Sequence, residues 1–213
     1  MKNYLKEAFR LKNIVTLFVG LIFMAAGVSL SRIAELGTSP ISSIPNVLSY
    51  MTPLSIGTLT IIFMVVCVGL QAVFLKKDFS PVSLLQMIPG SIFGVLINMF
   101  LSIFSFIDVT AYWQKIGLTI ISIVVLAFGV YLEVSSHSII LPGEGLAKAI
   151  STAMTKPFAT TKIWVDSSMV IVALILALVV FHNLTGIREG TVLSALLVGQ
   201  VVALFKRWFA RKG

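Results

Sequence analysis

Charged side chains are rare in this chain, and two of them stand one helical turn apart inside an apolar stretch. Of the 213 residues, 58% are hydrophobic and 11% are charged. Asp166 lies in the run IWVDSSMVIV, four residues after Lys162. A charge inside a membrane helix costs about 2.5 to 3.5 kcal/mol on insertion scales, so it needs a partner or a function. We expect either an i, i+4 ion pair whose lysine reaches the membrane surface, or a carboxylate for a cationic or zwitterionic solute or a coupling proton.

Two short segments carry polar groups where helices should begin. In LGTSPISSIPN, Ser39 is a natural N-cap and Pro40 a natural first residue. In ILPGEGLAKAIST, Pro142 takes the same place and Glu144 suits a helix N-terminus electrostatically. Backbone amides at such starts donate hydrogen bonds to polar ligands. The predicted substrate site therefore comprises Ser39, Pro40, Ser42, Ser43, Pro142, Gly143, Glu144, Gly145, Lys162 and Asp166.

Other ionisable residues have local interpretations. Glu133 and His137 are one turn apart and could pair with each other, or gate the inner side and couple to protons, since histidine titrates near neutral pH. Arg32 and Glu35 have the spacing of a local ion pair, and His182 falls where a span leaves the membrane and should face water.

The residues needed for catalysis or metal binding do not occur in recognisable patterns. The sequence has no His-Glu-x-x-His helix, no Gly-x-Ser-x-Gly elbow and no phosphate-binding Gly-x-x-x-x-Gly-Lys loop. Its single cysteine, Cys67, lies within a span and should serve packing. We therefore expect no catalytic residues, no metal and no cofactor.

The elements that must position these residues are membrane spans. The mean hydropathy is +1.04, and runs of roughly 20 apolar residues, enough to cross a bilayer, fall at 14–34, 54–75, 84–107, 116–136, 160–183 and 190–208. With a cytoplasmic N-terminus, thirteen of the 16 Lys and Arg residues lie inside, all except Arg32, Lys115 and Arg188. We expect both termini to be cytoplasmic, the lipid bilayer to be the main partner, and no nucleic acid to bind.

An internal repeat joins the two polar segments. At an offset of 102, Gly27, Leu30, Pro40 and Ser49 correspond to Gly129, Leu132, Pro142 and Ser151. We predict an all-α membrane protein of two inverted three-helix repeats, 1–107 and 108–213, each with a short re-entrant or broken half-helix, at 37–51 and 141–154. Two half-helices that lie flat on the membrane interfaces are the alternative. Inverted repeats of this kind are the architecture of many secondary transporters.

Five motifs spread over the chain carry a resemblance to a known family: Gly37-Thr38-Ser39-Pro40-Ile41-Ser42, Leu54-Ser55-Ile56-Gly57-Thr58, Pro142-Gly143-Glu144-Gly145-Leu146, the pair of Lys162 and Asp166, and Gly190-Thr191 with Gly199. In these motifs the chain resembles, over nearly its whole length, the YczE/YyaS/YitT-like family of bacterial multi-pass membrane proteins. Relatives tend to carry an acid where this chain has Ser42 and an arginine where it has Gly143. The resemblance implies a location in the bacterial inner membrane more than it implies a substrate.

These features favour a secondary transporter or permease for a small polar solute, with its site between the two half-helix tips. The alternatives are a substrate-binding membrane subunit that works with partner proteins, an accessory membrane protein, or a channel. The glycines of the first and last spans leave room for close helix packing within one chain or in a homodimer.

Overall fold

The computed structural model describes residues 7–210, and eight α-helices lie fully within that range. They are α1 (Leu11–Ile33), α2 (Pro40–Met51), α3 (Ile56–Leu75), α4 (Met87–Ile103), α5 (Tyr112–Ser135), α6 (Pro142–Met154), α7 (Phe158–Phe181) and α8 (Glu189–Ala210). Short 3-10 turns extend α3 and α4. Lys2, Lys6, Arg211 and Lys212, on which part of the charge argument rests, lie outside the described residues.

Six segments are long and apolar enough to cross a membrane: Leu11–Ile33, Ile56–Asp78, Pro81–Phe106, Tyr112–Ser135, Phe158–Phe181 and Glu189–Ala210. The chain is a multi-pass membrane protein, as its hydropathy predicts. The predicted spans differ from these segments by one to four residues at their ends, where helix limits are least well defined. We call the face at which α1 begins the near face and the opposite one the far face.

A close crossing of α1 and α5 forms the centre of the bundle. An ideal Cβ built on Gly27 would lie 2.7 Å from the backbone nitrogen of Leu126, and one on Gly20 would lie 3.0 Å from the carbonyl oxygen of Gly129. Two helix backbones can approach so closely only where side chains are absent. Met24 and Leu21 fill the adjoining core with side chains from α3, α4 and α5.

The short helices α2 and α6 enter this bundle by their N-terminal ends. Residues 142–147 of α6 are all buried, whereas Lys148 and Met154 are exposed. In α2 the residues from Pro40 to Val47 are likewise buried, except Ile41 and Ile44, which are partly exposed, and Tyr50 is exposed. A helix lying flat on a surface would instead be half-exposed along its whole length. The two starts touch, since an ideal Cβ on Gly143 would lie 3.1 Å from Cδ1 of Ile41.

Each short helix packs on spans from both halves of the chain. Helix α2 contacts α3 and α7, and α6 contacts the same two spans. Cys67 belongs to one of these contacts and is buried with Leu146, Val165 and Met169, which is consistent with the predicted packing role. The interior that the two short helices share is therefore bordered by α3 on one side and α7 on the other.

The two halves differ in how their last two spans meet. Helices α3 and α4 pack closely at Gly57 and Gly94, and the side-chain oxygen of Asn98 accepts a hydrogen bond of 3.0 Å from the backbone N–H of Gly57. Helices α7 and α8 share few contacts, and α8 packs instead on α5. The rings of Phe209 and Tyr131 stack there at 5.2 Å between centroids. The second half is consequently open between α7 and α8.

Glycine substitutions should test the α1–α5 crossing. Gly27→Ala is expected to destabilise the protein by about 1 to 3 kcal/mol, because overpacking at a backbone contact outweighs the better helix propensity of alanine. Thermal unfolding in detergent measures the change. Gly69→Ala is the matched control, since nothing lies within 4 Å of its ideal Cβ, and it should leave stability unchanged or raise it by up to about 1 kcal/mol. Equal effects of the two variants would contradict the crossing.

Candidate functional site

Lys162 joins two carboxylates at the point where α6 meets α7. Its Nζ lies 2.7 Å from Oδ1 of Asp166, one turn along α7, and 3.5 Å from Oε1 of Glu144, the third residue of α6. The side chains of Lys162 and Asp166 are one-quarter exposed and that of Glu144 is one-tenth exposed. The predicted i, i+4 pair is present, but the lysine also reaches the start of the second short helix.

A third carboxylate approaches the same cluster from α5. Oε1 of Glu133 accepts a hydrogen bond of 2.8 Å from the backbone N–H of Leu141, the residue directly before α6. Glu133 is 1% exposed and lies within electrostatic reach of Glu144 and Lys162. The bond supplies an acceptor for an amide at a helix start, which has no partner within the helix. Two carboxylates thus pair directly with the ammonium group and a third lies within electrostatic reach, and we call Glu133, Glu144, Lys162 and Asp166 the charge cluster.

The possible pairing of Glu133 with His137 is absent from the structure. His137 is exposed and has a φ of 51°, because α5 ends at Ser135 and the chain turns there. The i, i+4 relation holds only in a continuous helix, so the two side chains diverge. Glu133 is left to cap α6.

The predicted pair of Arg32 and Glu35 is also replaced by longer-range contacts. Helix α1 ends at Ile33, and Glu35 has a φ of 58°, so the i, i+3 geometry breaks. Glu35 instead forms an ion pair of 2.5 Å with Lys115. Arg32 hydrogen-bonds the side chain and the carbonyl of Asn46 in α2 and lies over the ring of Tyr50. His182 ends α7 and is exposed, as predicted.

Buried polar atoms without partners gather around the starts of the two short helices. Among residues 7–210, four such side-chain atoms occur: Oγ of Ser42, Oε2 of Glu133, Oε2 of Glu144 and Oγ1 of Thr191. Ser42 and Glu144 are each the third residue of a short helix. Thr191 lies against Gly37, just before α2, as Glu133 lies against Leu141, just before α6. Leaving a buried polar atom unpaired costs about 1 to 3 kcal/mol, so these four atoms would gain from a polar ligand that hydrogen-bonds to them.

The serines of the first short helix have different surroundings. Ser39 occupies the N-cap position before Pro40, as predicted, but its side chain makes no capping hydrogen bond. The hydroxyl of Ser43 donates to the carbonyl of Pro40 at 2.6 Å, or to that of Met169 in α7 at 3.4 Å. The hydroxyl of Ser42 has no hydrogen-bond partner, and Ser42 is fully buried.

A cleft of about 340 Å³, lined by polar and apolar residues, reaches the second short helix from the near face. At its base the amides of Gln71 and Gln86 bond to each other at 3.0 and 3.3 Å, and Gln71 also donates to the carbonyl of Pro142 at 3.1 Å. An ideal Cβ on Gly145 would overlap the side-chain oxygen of Gln86. The predicted role of Gly145 in binding a solute is thus joined by a packing role.

The two glutamines were not predicted as site residues. Each is an uncharged polar residue within or beside an otherwise apolar span, which is a weak signal, because one such residue often faces a neighbouring helix without any ligand. Their pairing depends on the fold of residues 76–86 between α3 and α4, which the sequence pattern does not specify.

Comparison with known proteins places the chain in a family. The "Family of unknown function (DUF6198)" matches residues 11–207. The chain belongs to this family. No curated protein and no solved structure matches it. The DUF6198 match includes both short helices and the whole charge cluster, so the site lies within the part of the chain that defines the family.

Removal of the shared ammonium should destabilise this DUF6198 protein. Lys162→Met leaves the clustered carboxylates without a counter-charge, and we expect the free energy of unfolding to fall by about 1 to 3 kcal/mol. This is less than the loss for a fully buried ion pair, because Lys162 and Asp166 are partly exposed. Thermal unfolding should show a deficit that shrinks as the pH falls and the carboxylates are protonated. Lys162→Arg should retain most of the stability. Lys148→Met, at an exposed lysine of α6, is the control and should change stability by less than about 0.5 kcal/mol.

Proposed function

We propose that the protein is a secondary transporter for a small polar solute and that the solute binds between the starts of α2 and α6. This proposal rests on the unpartnered buried polar atoms that lie near these two helix starts. Ser42 and Glu144 offer an acceptor from each short helix, while Glu133 and Thr191 add one each from α5 and α8. A solute with several hydrogen-bond donors would satisfy them together.

The charge of the site favours a cationic or zwitterionic solute. Glu133, Glu144 and Asp166 are balanced within the cluster only by Lys162. A second positive group from a solute, or a coupling proton, would reduce the remaining excess of negative charge in a region where unpaired charge is costly. An anionic solute would add to the excess negative charge and should be rejected.

The architecture supports alternating access. Both halves have the same order of one long helix, one short helix and two long helices, and we interpret them as inverted repeats related to the YczE/YyaS/YitT-like group. In this interpretation α2 and α6 are re-entrant half-helices, entering from opposite faces and meeting within the bilayer, as in transporters whose site lies at the repeat interface. Irregular backbone at that depth is tolerated where it lines a wet cavity.

The orientation of the protein in the membrane and the route of the solute to its site are part of the same proposal. Among residues 7–210, the near face carries most of the lysines and arginines, so we assign it to the cytoplasm of a bacterial cell. The cleft of about 340 Å³ then opens to the cytoplasm, and the paired amides of Gln71 and Gln86 lie between it and Pro142, the first residue of α6. Release of α6 from Gln71 would connect the cleft with the charge cluster.

Solute binding should depend on both carboxylates. A thermal-shift screen of purified protein against cationic, zwitterionic, neutral and anionic metabolites should identify a stabilising solute. Glu144→Gln and Asp166→Asn are each expected to abolish this stabilisation while the protein remains folded, because each removes a charge from the shared site. Glu7→Gln, at an exposed acid outside the site, is the control. If both site variants bind the same solute with unchanged affinity, the site is misplaced.

Uptake into proteoliposomes that contain only this chain distinguishes a transporter from a subunit that needs partners. Gradient-driven uptake of the stabilising solute supports the proposal. Binding without uptake would instead favour a substrate-binding subunit or an accessory protein.

The N-terminal ends of α2 and α6 differ in charge, because the third residue is Ser42 in α2 and Glu144 in α6, and this difference provides a second test. Ser42→Asp places a carboxylate at the first start, at the position equivalent to Glu144. At an effective dielectric constant of about 20, a charge roughly 8 Å from a cation contributes about 2 kcal/mol, so cationic solutes should bind about tenfold or more tightly. Titration calorimetry measures the change. Ser42→Ala is the control for loss of the hydroxyl alone, and weaker cation binding by Ser42→Asp than by Ser42→Ala would contradict the charge argument.

A further inference from the structure

A second cleft, of about 280 Å³, lies between α7 and α8. Its polar residues are Asp166, Ser167 and Thr191, and its apolar walls include Ile171, Val192 and Leu196. Asp166 belongs to the charge cluster, and Thr191 carries one of the unpartnered buried oxygens. The cleft therefore leads from the outer surface of the span bundle to the candidate site.

The cleft opens sideways, toward the region that lipid would occupy. Helix α8 is the least buried of the six spans, and Val192 and Leu196 are 56% and 60% exposed. The corresponding gap in the first half is closed, because Gly57 and Gly94 bring α3 and α4 into contact. This lateral opening thus has no counterpart between α3 and α4, and it lies in the half that carries Glu144 and Asp166.

The chemistry of the cleft combines a carboxylate at one side with exposed apolar walls at the other. Asp166 keeps one-quarter of its side chain exposed even though Lys162 is bonded to it. A carboxylate at a lipid-facing opening is costly unless a cation or water meets it. An alkyl chain would stabilise binding at the apolar walls, because the free energy of burial is proportional to the apolar area covered.

We propose that the substrate is an amphipathic cation that enters laterally from the bilayer, with its charged group at Asp166 and its alkyl chain along Val192 and Leu196. This inference rests on the proposed function and specifies the class of its solute. A wholly polar solute would have no use for the apolar walls. A second copy of this chain seated on α8 would cover the walls but would bring no additional cation to the exposed part of Asp166 and no hydrogen-bond donor to Oγ1 of Thr191.

Two ammonium ions that differ only in chain length test the inference. Methylammonium and octylammonium are titrated into the protein in lipid nanodiscs, and empty nanodiscs measure partitioning into lipid alone. After that correction, octylammonium should bind about tenfold or more tightly than methylammonium, because its added methylenes lie against the apolar walls. Asp166→Asn should weaken the binding of both ions.

A matched pair of variants localises the effect. Ala195 lines the cleft and Ala203 is an exposed residue of the same helix outside it. Ala195→Phe should reduce the affinity ratio of the two ions toward one, and Ala203→Phe should leave the ratio unchanged. Equal affinities in the unaltered protein, or a ratio that Ala195→Phe does not change, would overturn lateral entry.

Other outcomes separate this inference from the proposed function. If neither ammonium ion binds but a polar solute still requires Glu144 and Asp166, the transporter proposal stands and the amphipathic substrate is wrong. If no solute of any class binds, both are wrong. A dimer in nanodiscs or detergent that Ala195→Phe dissociates would show that a second copy covers the cleft, and this too would overturn the inference.

Discussion

Two helices that begin inside an apolar bundle leave backbone groups that lipid cannot satisfy, and the rest of the structure follows from this constraint. Glu133 accepts from the amide of Leu141 before α6, and Gln71 donates to the carbonyl of Pro142. At the other start, the amide of Gly190 donates to the carbonyl of Leu36 at 2.7 Å. Polar and charged residues are thus needed deep in the protein for structural reasons, and a ligand site can be formed from the atoms they leave unpaired.

The two halves use one plan with different chemistry. Ser42 stands where Glu144 stands in the other half, and the close contact of α3 with α4 has no equivalent between α7 and α8. Negative charge and lateral openness therefore occur together in the second half. Within the described residues, the charge cluster lies at the start of the second short helix, whereas the first short helix contains no charged residue.

Much of the fold was predictable because its signals are local. Hydropathy located all six spans to within a few residues, and proline after a capping position located the starts of α2 and α6. The site was predictable in part. The pair of Lys162 and Asp166 follows from helical spacing, whereas Glu133 with His137 and Arg32 with Glu35 fail because each pair straddles or adjoins a helix end. Gln71 and Gln86 were missed because their contact depends on an irregular connection.

The sequence by itself determined that the chain inserts in a membrane, how many spans it has and where two short helices begin, since each property depends on residues adjacent along the chain. Only the tertiary structure decided which groups meet. It brought Lys162 to Glu144, used Glu133 to cap α6, paired Glu35 with Lys115 and left α7 apart from α8. These outcomes depend on the close approach of α1 to α5 and on the meeting of Ile41 with Gly143. Contacts between residues so distant in sequence are set by packing, which no local periodicity encodes.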